Sequence, residues 1–281
     1  MSRDNPPLEQ PEVEPCQSMA FRTLGEVLLC QCCVEEHESV FVQSKPLALL
    51  SYLCCEHSFA GLGRHPHGQI PLTPYGYHRR DTLVALFWPE HDDTHAHGAL
   101  RQALHGLRTA VGEETLITRG KTEVAANPER LWCDACAFTE SLDRGDLEDA
   151  VSLYGGAFLT GFHTPDVPEF TRWMETARDR LDRAYAGALE QLADAATQRK
   201  DLLAAADWWR RLAEHDPYNS RIAIRTMEAL DASGARGEAL RLADRHETLL
   251  HRTFGAELDP GVRATAERLK AAHASPLTHR K

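Results

Sequence analysis

The chain has 281 residues, enough for two ordinary domains that each bury a core. Its composition, 42% hydrophobic and 26% charged, is typical of a globular protein, and no apolar run approaches the roughly 20 residues that cross a bilayer. The net charge of −11 argues against a protein that coats nucleic acid without specificity, although it leaves room for a local basic surface.

The first 18 residues are rich in Pro and Glu and contain no apolar segment of the signal-peptide kind. Because this segment has little to bury, we expect a disordered tail over 1–18, and a second flexible tail over 273–281. We expect a cytoplasmic protein, in which the eight Cys are reduced thiols rather than disulfides.

The next region predicts short strands followed by a helix. Between Phe21 and Val42 apolar and polar residues alternate loosely, which favours strands joined by a turn near 35–38. The run PLALLSYLCC begins with Pro46, and Pro is favoured in the first turn of a helix because its missing N–H needs no partner there. The segment 58–78 is rich in Gly, Pro and His and predicts an irregular loop.

Two more helices and a hairpin follow. The run RRDTLVALFWP predicts a short helix that ends at Pro89, and a longer helix runs from about Thr94 to Val111 after a cap formed by Asp92 and Asp93. The run ETLITRGKTEVAANP predicts a hairpin. Strands, three helices and a terminal hairpin, in this order, predict a winged helix-turn-helix domain over 19–130.

Beyond residue 130 the pattern is helical throughout and contains a repeat. The segments GDLEDA, KDLLAA and ARGEA each precede a helix and place Ala150, Ala205 and Ala239 at the same point. The last two are 34 positions apart, the period of tetratricopeptide helix pairs, and Trp209 and Pro217 fall where that repeat has a bulky residue and a helix stop. We therefore expect an all-α, tetratricopeptide-like domain over 131–272 and a mainly α protein.

The helix 94–111 has an apolar face and a basic one. At about 100° per residue, its Ala, Leu and Val residues share one side, and an adjacent stripe about 80° wide carries Arg and His. Arg can bond guanine through two hydrogen bonds, and the hairpin tip can reach phosphates or the minor groove. Residues 94–122 contain four Lys or Arg against two Glu. The candidate DNA-binding residues are His97, Arg101, Gln102, His105, Arg108, Arg119, Lys121 and Thr122. The alternative is an ordinary solvated helix face.

Several runs in order resemble SARP-type transcriptional regulators, the antibiotic regulatory protein family. HRRDTLVALFWPE, ALRQALHGLRTAVGEETLITRG and PERLWCDACAF are similar to their winged-helix half. LYGGAFLTGFHTPDVPEFTRWMETARDRL and FGAELDPGVRATAERL are similar to the bacterial transcriptional activator domain that follows. The resemblance covers roughly 20–270. It implies a reading helix at 94–111, a wing at 116–124, binding of double-stranded DNA as a dimer or in tandem, and contact with RNA polymerase.

Two features depart from the family pattern. The loop 61–78 is longer than usual, and His97 and His105 stand where Arg or Ser is more common. The acidic balance and these His residues leave open a second function, a protein-interaction adaptor whose winged helix no longer binds DNA.

Cysteine and histidine clusters also invite a metal interpretation. Zinc sites commonly use two Cys-x-x-Cys motifs. Here Cys133 to Cys136 lies in a run where the resemblance implies core residues, and Cys30 and Cys32 would lie on one face of a strand as small hydrophobic residues. We expect no metal and no cofactor, and keep a metal-dependent sensor as a third possibility. No phosphate-binding glycine loop, nucleophile elbow or zinc-protease motif occurs, so an enzyme is not expected.

Overall fold

The structure, a computed structural model, describes residues 19–31, 44–59, 76–164 and 166–274. The expected tail over 1–18, the turn near 35–38 and most of the loop 58–78 lie outside these residues, as do 275–281. The predicted flexibility of the two tails therefore stays a prediction.

In chain order the elements are β1 (Met19–Arg22), β2 (Leu28–Gln31), α1 (Ser44–Phe59), β3 (His78–Arg79), α2 (Arg80–Phe87), α3 (Asp93–Val111), β4 (Leu116–Arg119), β5 (Glu123–Ala126), β6 (Leu131–Cys133), α4 (Asp134–Arg144), α5 (Leu147–Leu153), α6 (Pro168–Gln198), α7 (Leu202–His215), α8 (Ser220–Ala232), α9 (Arg236–Phe254) and α10 (Pro260–Ala274). This order confirms a mainly α protein in which a winged helix precedes an all-α region. None of the helices among the described residues combines the length and apolarity needed to cross a membrane.

The chain forms two compact units. The first contains residues 1–137 and 155–178, and the second contains 138–154 and 179–281. A segment from beyond residue 131 therefore packs with the winged helix.

Two small sheets support the first unit. Strand β1 lies between β2, which is antiparallel to it, and β6, which is parallel, and Phe21 at its centre is fully buried. The second sheet has the order β3-β5-β4, and β4 and β5 form the predicted hairpin. The segment predicted as a loop up to His78 thus ends in a short strand, because His78 pairs with Val124.

The segment 155–178 completes the aromatic core of the first unit. Phe158 and Phe170 are fully buried, and Phe170 lies 5.7 Å from Phe87, ring centre to ring centre. Trp173 contacts Tyr52 at 5.0 Å and Phe59 at 6.0 Å. Such ring pairs each add roughly 0.5–1.5 kcal/mol beyond the area that they bury.

A backbone contact fixes where this segment approaches β1. Phe158 bridges Leu24, and a Cβ at Gly155 would lie 2.8 Å from the Leu24 carbonyl oxygen, so only glycine fits there. The guanidinium of Arg178 donates to the carbonyls of Phe158 at 2.7 Å and Leu159 at 2.6 Å.

The second unit contains the predicted repeat. Ala150, Ala205 and Ala239 each occupy the fourth position of their helix, α5, α7 and α9, and all three are buried. Trp209 is 1% exposed, and Pro217 lies between α7 and α8. Helices α8, α9 and α10 enclose a common apolar cluster. The tetratricopeptide-like architecture is confirmed.

Candidate nucleic-acid interface

Helix α3 buries the face that the sequence predicts. Its six buried residues are Ala96, Leu100, Ala103, Leu104, Leu107 and Val111. On the opposite side Arg101, Gln102 and His105 are exposed, and His97 and Arg108 are partly exposed. The amphipathic pattern is therefore confirmed, and the helix offers its polar stripe to the surroundings.

Capping fixes the start of α3. The side chain of Asp92 accepts hydrogen bonds from the backbone N–H groups of Thr94 and His95, both at 3.1 Å, as predicted for Asp92. Residues 88–92 join α2 to α3 in a helix-turn-helix arrangement, and Trp88 in this turn is buried.

A third arginine stands beside the two predicted on α3. Arg80 is the first residue of α2, and its pKa is lowered by burial and by the charges of Arg108 and Arg101. Its Nε atom is buried and has no hydrogen-bond partner among the described residues. We call Arg80, Arg101 and Arg108 the arginine cluster.

Arg80 is not among the DNA-binding residues predicted from the sequence, although the sequence contains a signal for it. A cation at the N-terminus of a helix is disfavoured by the positive end of the helix dipole. An Arg in this position therefore indicates a role other than stabilising the helix. The backbone N–H of Arg80 donates to the Thr122 carbonyl at 2.8 Å, which ties the start of α2 to the hairpin tip.

The two α3 arginines differ in how they are held. The Arg108 guanidinium donates to the Leu116 carbonyl at 3.4 Å and lies 3.9 Å from the Glu113 carboxylate, and its side chain is only 21% exposed. Arg101 is exposed and makes no hydrogen bond or ion pair with the residues that the structure describes. Arg108 is thus braced at the base of the hairpin, while Arg101 points outward.

The hairpin tip is small and polar. Gly120 has φ +61° in the turn 120–122, and Lys121 and Thr122 beside it are exposed. Arg119 lies along the hairpin, because its Nε is 2.6 Å from a Glu123 carboxylate oxygen and its guanidinium is 4.5 Å from the Tyr77 ring centre. The hydrogen bond to Glu123 raises the pKa of Arg119. Lys121 and Thr122 are therefore better placed than Arg119 to reach a ligand beyond the tip.

Carboxylates border the basic surface. The His97 ring lies 3.5 Å from the Asp81 carboxylate, and Asp92, which caps α3, is exposed at the same end. His105, further along α3, is exposed. The positive charge of the surface is therefore concentrated at the arginine cluster and the hairpin tip.

Comparison with known proteins agrees with this architecture. Residues 134–270 match the family model described as bacterial transcriptional activator domain. The fold matches Mycobacterium tuberculosis EmbR, solved in complex with a low affinity phosphopeptide, with a TM-score of 0.51 and 17% identity. The match covers 92% of this chain and 66% of the EmbR chain, so this chain spans just under two thirds of its length.

The family-model match agrees with the activator domain that the resemblance to SARP-type regulators implies for this part of the chain, and the structural match agrees with the predicted fold. No curated protein matches the chain.

Proposed function

We propose that this chain binds promoter DNA in a sequence-specific way and acts as a transcriptional activator, with α3 in the major groove and the hairpin 116–124 as the wing. The arginine cluster carries the proposal. Burial and the charges of Arg108 and Arg101 lower the pKa of Arg80, and its Nε is buried with no hydrogen-bond acceptor among the described residues. Phosphate oxygens or a guanine edge would supply both the negative charge and the acceptors.

The position of each candidate residue suggests which part of the DNA it would contact. Arg101 and Gln102 on the exposed stripe would contact base edges or phosphates, and His97 and His105 would add contacts at either end. Arg108 and Arg80 would bind phosphate near the base of the wing. Lys121 and Thr122 would reach the backbone or minor groove from the tip, with Arg119 behind them.

The helical unit would serve assembly. A bacterial transcriptional activator domain suggests contact with RNA polymerase and binding as a dimer or in tandem on promoter repeats. Such a regulator would work in the cytoplasm, where its promoters are.

The test uses fragments selected from the host genome and full-length protein, with affinity measured by fluorescence anisotropy. Arg101→Ala with Arg108→Ala should weaken binding by about 100-fold, because each lost contact costs roughly 1–3 kcal/mol. Arg241→Ala with Arg263→Ala, an equal charge change at exposed sites in the helical unit, is the matched control and should bind as wild type. An equal loss of DNA affinity in both double variants would show that α3 is not the DNA-binding surface.

One observation favours the adaptor as a second candidate. In the helical unit Leu203 is 71% exposed and Phe254 is 62% exposed, with the Phe254 ring 5.1 Å from the half-exposed Tyr218 ring. The adjacent rings of Phe254 and Tyr218 form a contiguous exposed apolar surface, which suits a protein contact. No measurable DNA binding even at low salt would favour this function.

A further inference from the structure

Three cysteines from separate parts of the chain converge in the first unit. Cys55 lies on α1, Cys133 ends β6, and Cys136 lies in the first turn of α4. Their sulfur atoms all lie within 4.8 Å of one another, and those of Cys55 and Cys133 are 3.6 Å apart. Cys55 and Cys133 are buried and Cys136 is partly exposed, so two of the three sulfurs are shielded from solvent.

The 3.6 Å between the Cys55 and Cys133 sulfurs is close to the sulfur spacing in a metal site. Two thiolates at about 2.3 Å from one tetrahedral zinc ion lie about 3.8 Å apart. The backbone N–H of Cys136 donates to the Cys133 sulfur, which orients that sulfur at the start of α4. Soft thiolate ligands select Cu⁺ and Zn²⁺ among the common metal ions.

The surroundings hold the Cys133 end of the site in place. The Asp134 carboxylate accepts hydrogen bonds from the Thr23 backbone at 2.7 Å, the Thr23 hydroxyl at 2.8 Å and the Leu24 backbone at 3.0 Å. The start of α4 is thereby fastened to the end of β1. Outer contacts of this kind orient metal ligands in known sites.

The sequence predicts core cysteines and no metal, because its spacing shows no set of four converging ligands. The structure instead supplies the third sulfur from the adjacent pair Cys54-Cys55 on α1. A pair of adjacent cysteines has no standard metal-site spacing, so only the tertiary fold shows this convergence.

We propose that Cys55, Cys133 and Cys136 bind one thiophilic metal ion, Zn²⁺ or Cu⁺, which links α1 to the β6–α4 junction. Each thiol releases its proton to solvent as it binds. Three thiolates satisfy Cu⁺, whereas Zn²⁺ takes a fourth ligand. Cys54 is the candidate, because its carbonyl oxygen lies 3.3 Å from the Cys136 sulfur and its thiol interacts electrostatically with Cys133 and Cys136.

The experiment uses full-length protein kept reduced and free of oxygen. Zn²⁺ and Cu⁺ are titrated separately against chromophoric chelators, and Cd²⁺ is added to count thiolate ligands by its sulfur-to-metal absorption. We expect one equivalent of Zn²⁺ or Cu⁺ per chain, a thiolate absorption band, and a higher Tm for the loaded protein. The ion with the tighter binding identifies the metal.

The matched variants are Cys133→Ala and Cys30→Ala. Both thiols are buried in one sheet, but Cys30 pairs with Ala20 and Cys133 with Phe21, so the two side chains point to opposite faces. Cys133→Ala should lose stoichiometric binding and the rise in Tm, and Cys30→Ala should keep both. Cys136→Ala, at a partly exposed position, repeats the test if Cys133→Ala does not fold.

Three results would overturn the proposal. Wild-type protein that binds neither ion stoichiometrically has no such site. One bound equivalent without the thiolate absorption places the ion elsewhere. Folded Cys133→Ala or Cys136→Ala protein that binds metal as tightly as wild type removes these sulfurs from the ligand set.

Discussion

At the scale of single residues, the sequence could predict Arg101 and Arg108 but not their neighbour. Helical periodicity alone places these two on the polar side of α3. Arg80 lies beside them only because α2 packs against α3 and the backbone N–H of Arg80 donates to the Thr122 carbonyl at the hairpin tip. Similarly, the spacing of Arg119 in the hairpin predicts its exposure but not its ion pair with Glu123. Contacts between elements therefore decide which predicted cations are available.

Arg80→Met should separate function from stability. Met keeps an apolar chain of similar reach. The substitution removes the repulsion from Arg101 and Arg108 and the buried nitrogen that has no partner in the described part of the chain. Because an unsatisfied buried polar group costs roughly 1–3 kcal/mol, we expect the Tm to stay level or rise. DNA affinity should fall about 10-fold, by the loss of one phosphate contact. A large drop in Tm with unchanged affinity would mean that Arg80 is structural.

His78 should make stability depend on pH. Burial and the nearby charge of His57 lower the pKa of His78 to about 4, whereas an unfolded His titrates near 6.5. As pH falls the unfolded chain takes up the proton first, so the stability is full above about pH 6.5 and is lost towards about pH 4. The loss reaches at most about 3 kcal/mol.

Urea unfolding of His78→Phe between about pH 7 and about pH 5 measures this contribution. The variant should lose less stability over this range than wild type. His105→Ala, at an exposed position, is the control and should keep the wild-type pH dependence. If His78→Phe and wild type lose stability equally, another group is responsible.

At the scale of elements, the sequence predicts structures that depend on local pattern, and it does not predict pairings between distant segments. The capped helix α3, the hairpin β4–β5 and the register of Ala150, Ala205 and Ala239 follow from local sequence. The strand β6 and its parallel pairing with β1 do not, because the partner is more than a hundred residues away and β6 has only three residues. Short strands carry too little pattern to specify a distant partner.

The repeat helices share a backbone feature that the sequence only partly shows. Gly145, Lys200 and Gly234 each lie two positions before α5, α7 and α9, and all have positive φ, at 82°, 62° and 89°. Two of the three positions hold glycine, which adopts this conformation without steric cost. Lys200 occupies it with a Cβ.

Lys200→Gly should therefore stabilise the helical unit, by up to about 1 kcal/mol, since a left-handed residue with a Cβ costs roughly 1–2 kcal/mol and glycine gives part of this back as unfolded-state entropy. Gly234→Ala should destabilise it by about 1 kcal/mol or more. Urea unfolding of both variants measures the two effects. Destabilisation by Lys200→Gly would show that the lysine side chain has a contact worth more than the strain.

At the scale of the whole molecule, the winged helix depends on a distant part of the chain. Phe158, Phe170 and Trp173 pack on aromatic rings of α1 and α2, although the sequence analysis assigned them to the helical domain 131–272. The sequence pattern alone could not show that these residues pack on the winged helix, because they also fit the beginning of the helical domain. The boundary at 130 stays a prediction.

Truncation tests that boundary. A chain that ends at residue 130 exposes Phe59 and Phe87 and should aggregate or unfold without cooperativity, because losing one buried Phe or Trp costs roughly 3–5 kcal/mol. A chain that ends at residue 178 keeps these rings and should show a cooperative thermal transition by circular dichroism. Cooperative melting of the 130-residue chain near the wild-type temperature would place the boundary where the sequence suggested.

The salt dependence of DNA affinity tests the role of α3 most directly. Wild-type affinity for a genome-selected fragment should fall steeply as salt rises, because each phosphate contact releases counterions. Arg101→Ala should weaken binding and reduce the logarithmic slope by about 1 if the contact is to phosphate, or relax sequence preference if it is to a base. Arg241→Ala should change neither. Binding whose strength, slope and sequence preference are the same in Arg101→Ala as in wild type would contradict DNA recognition through this helix.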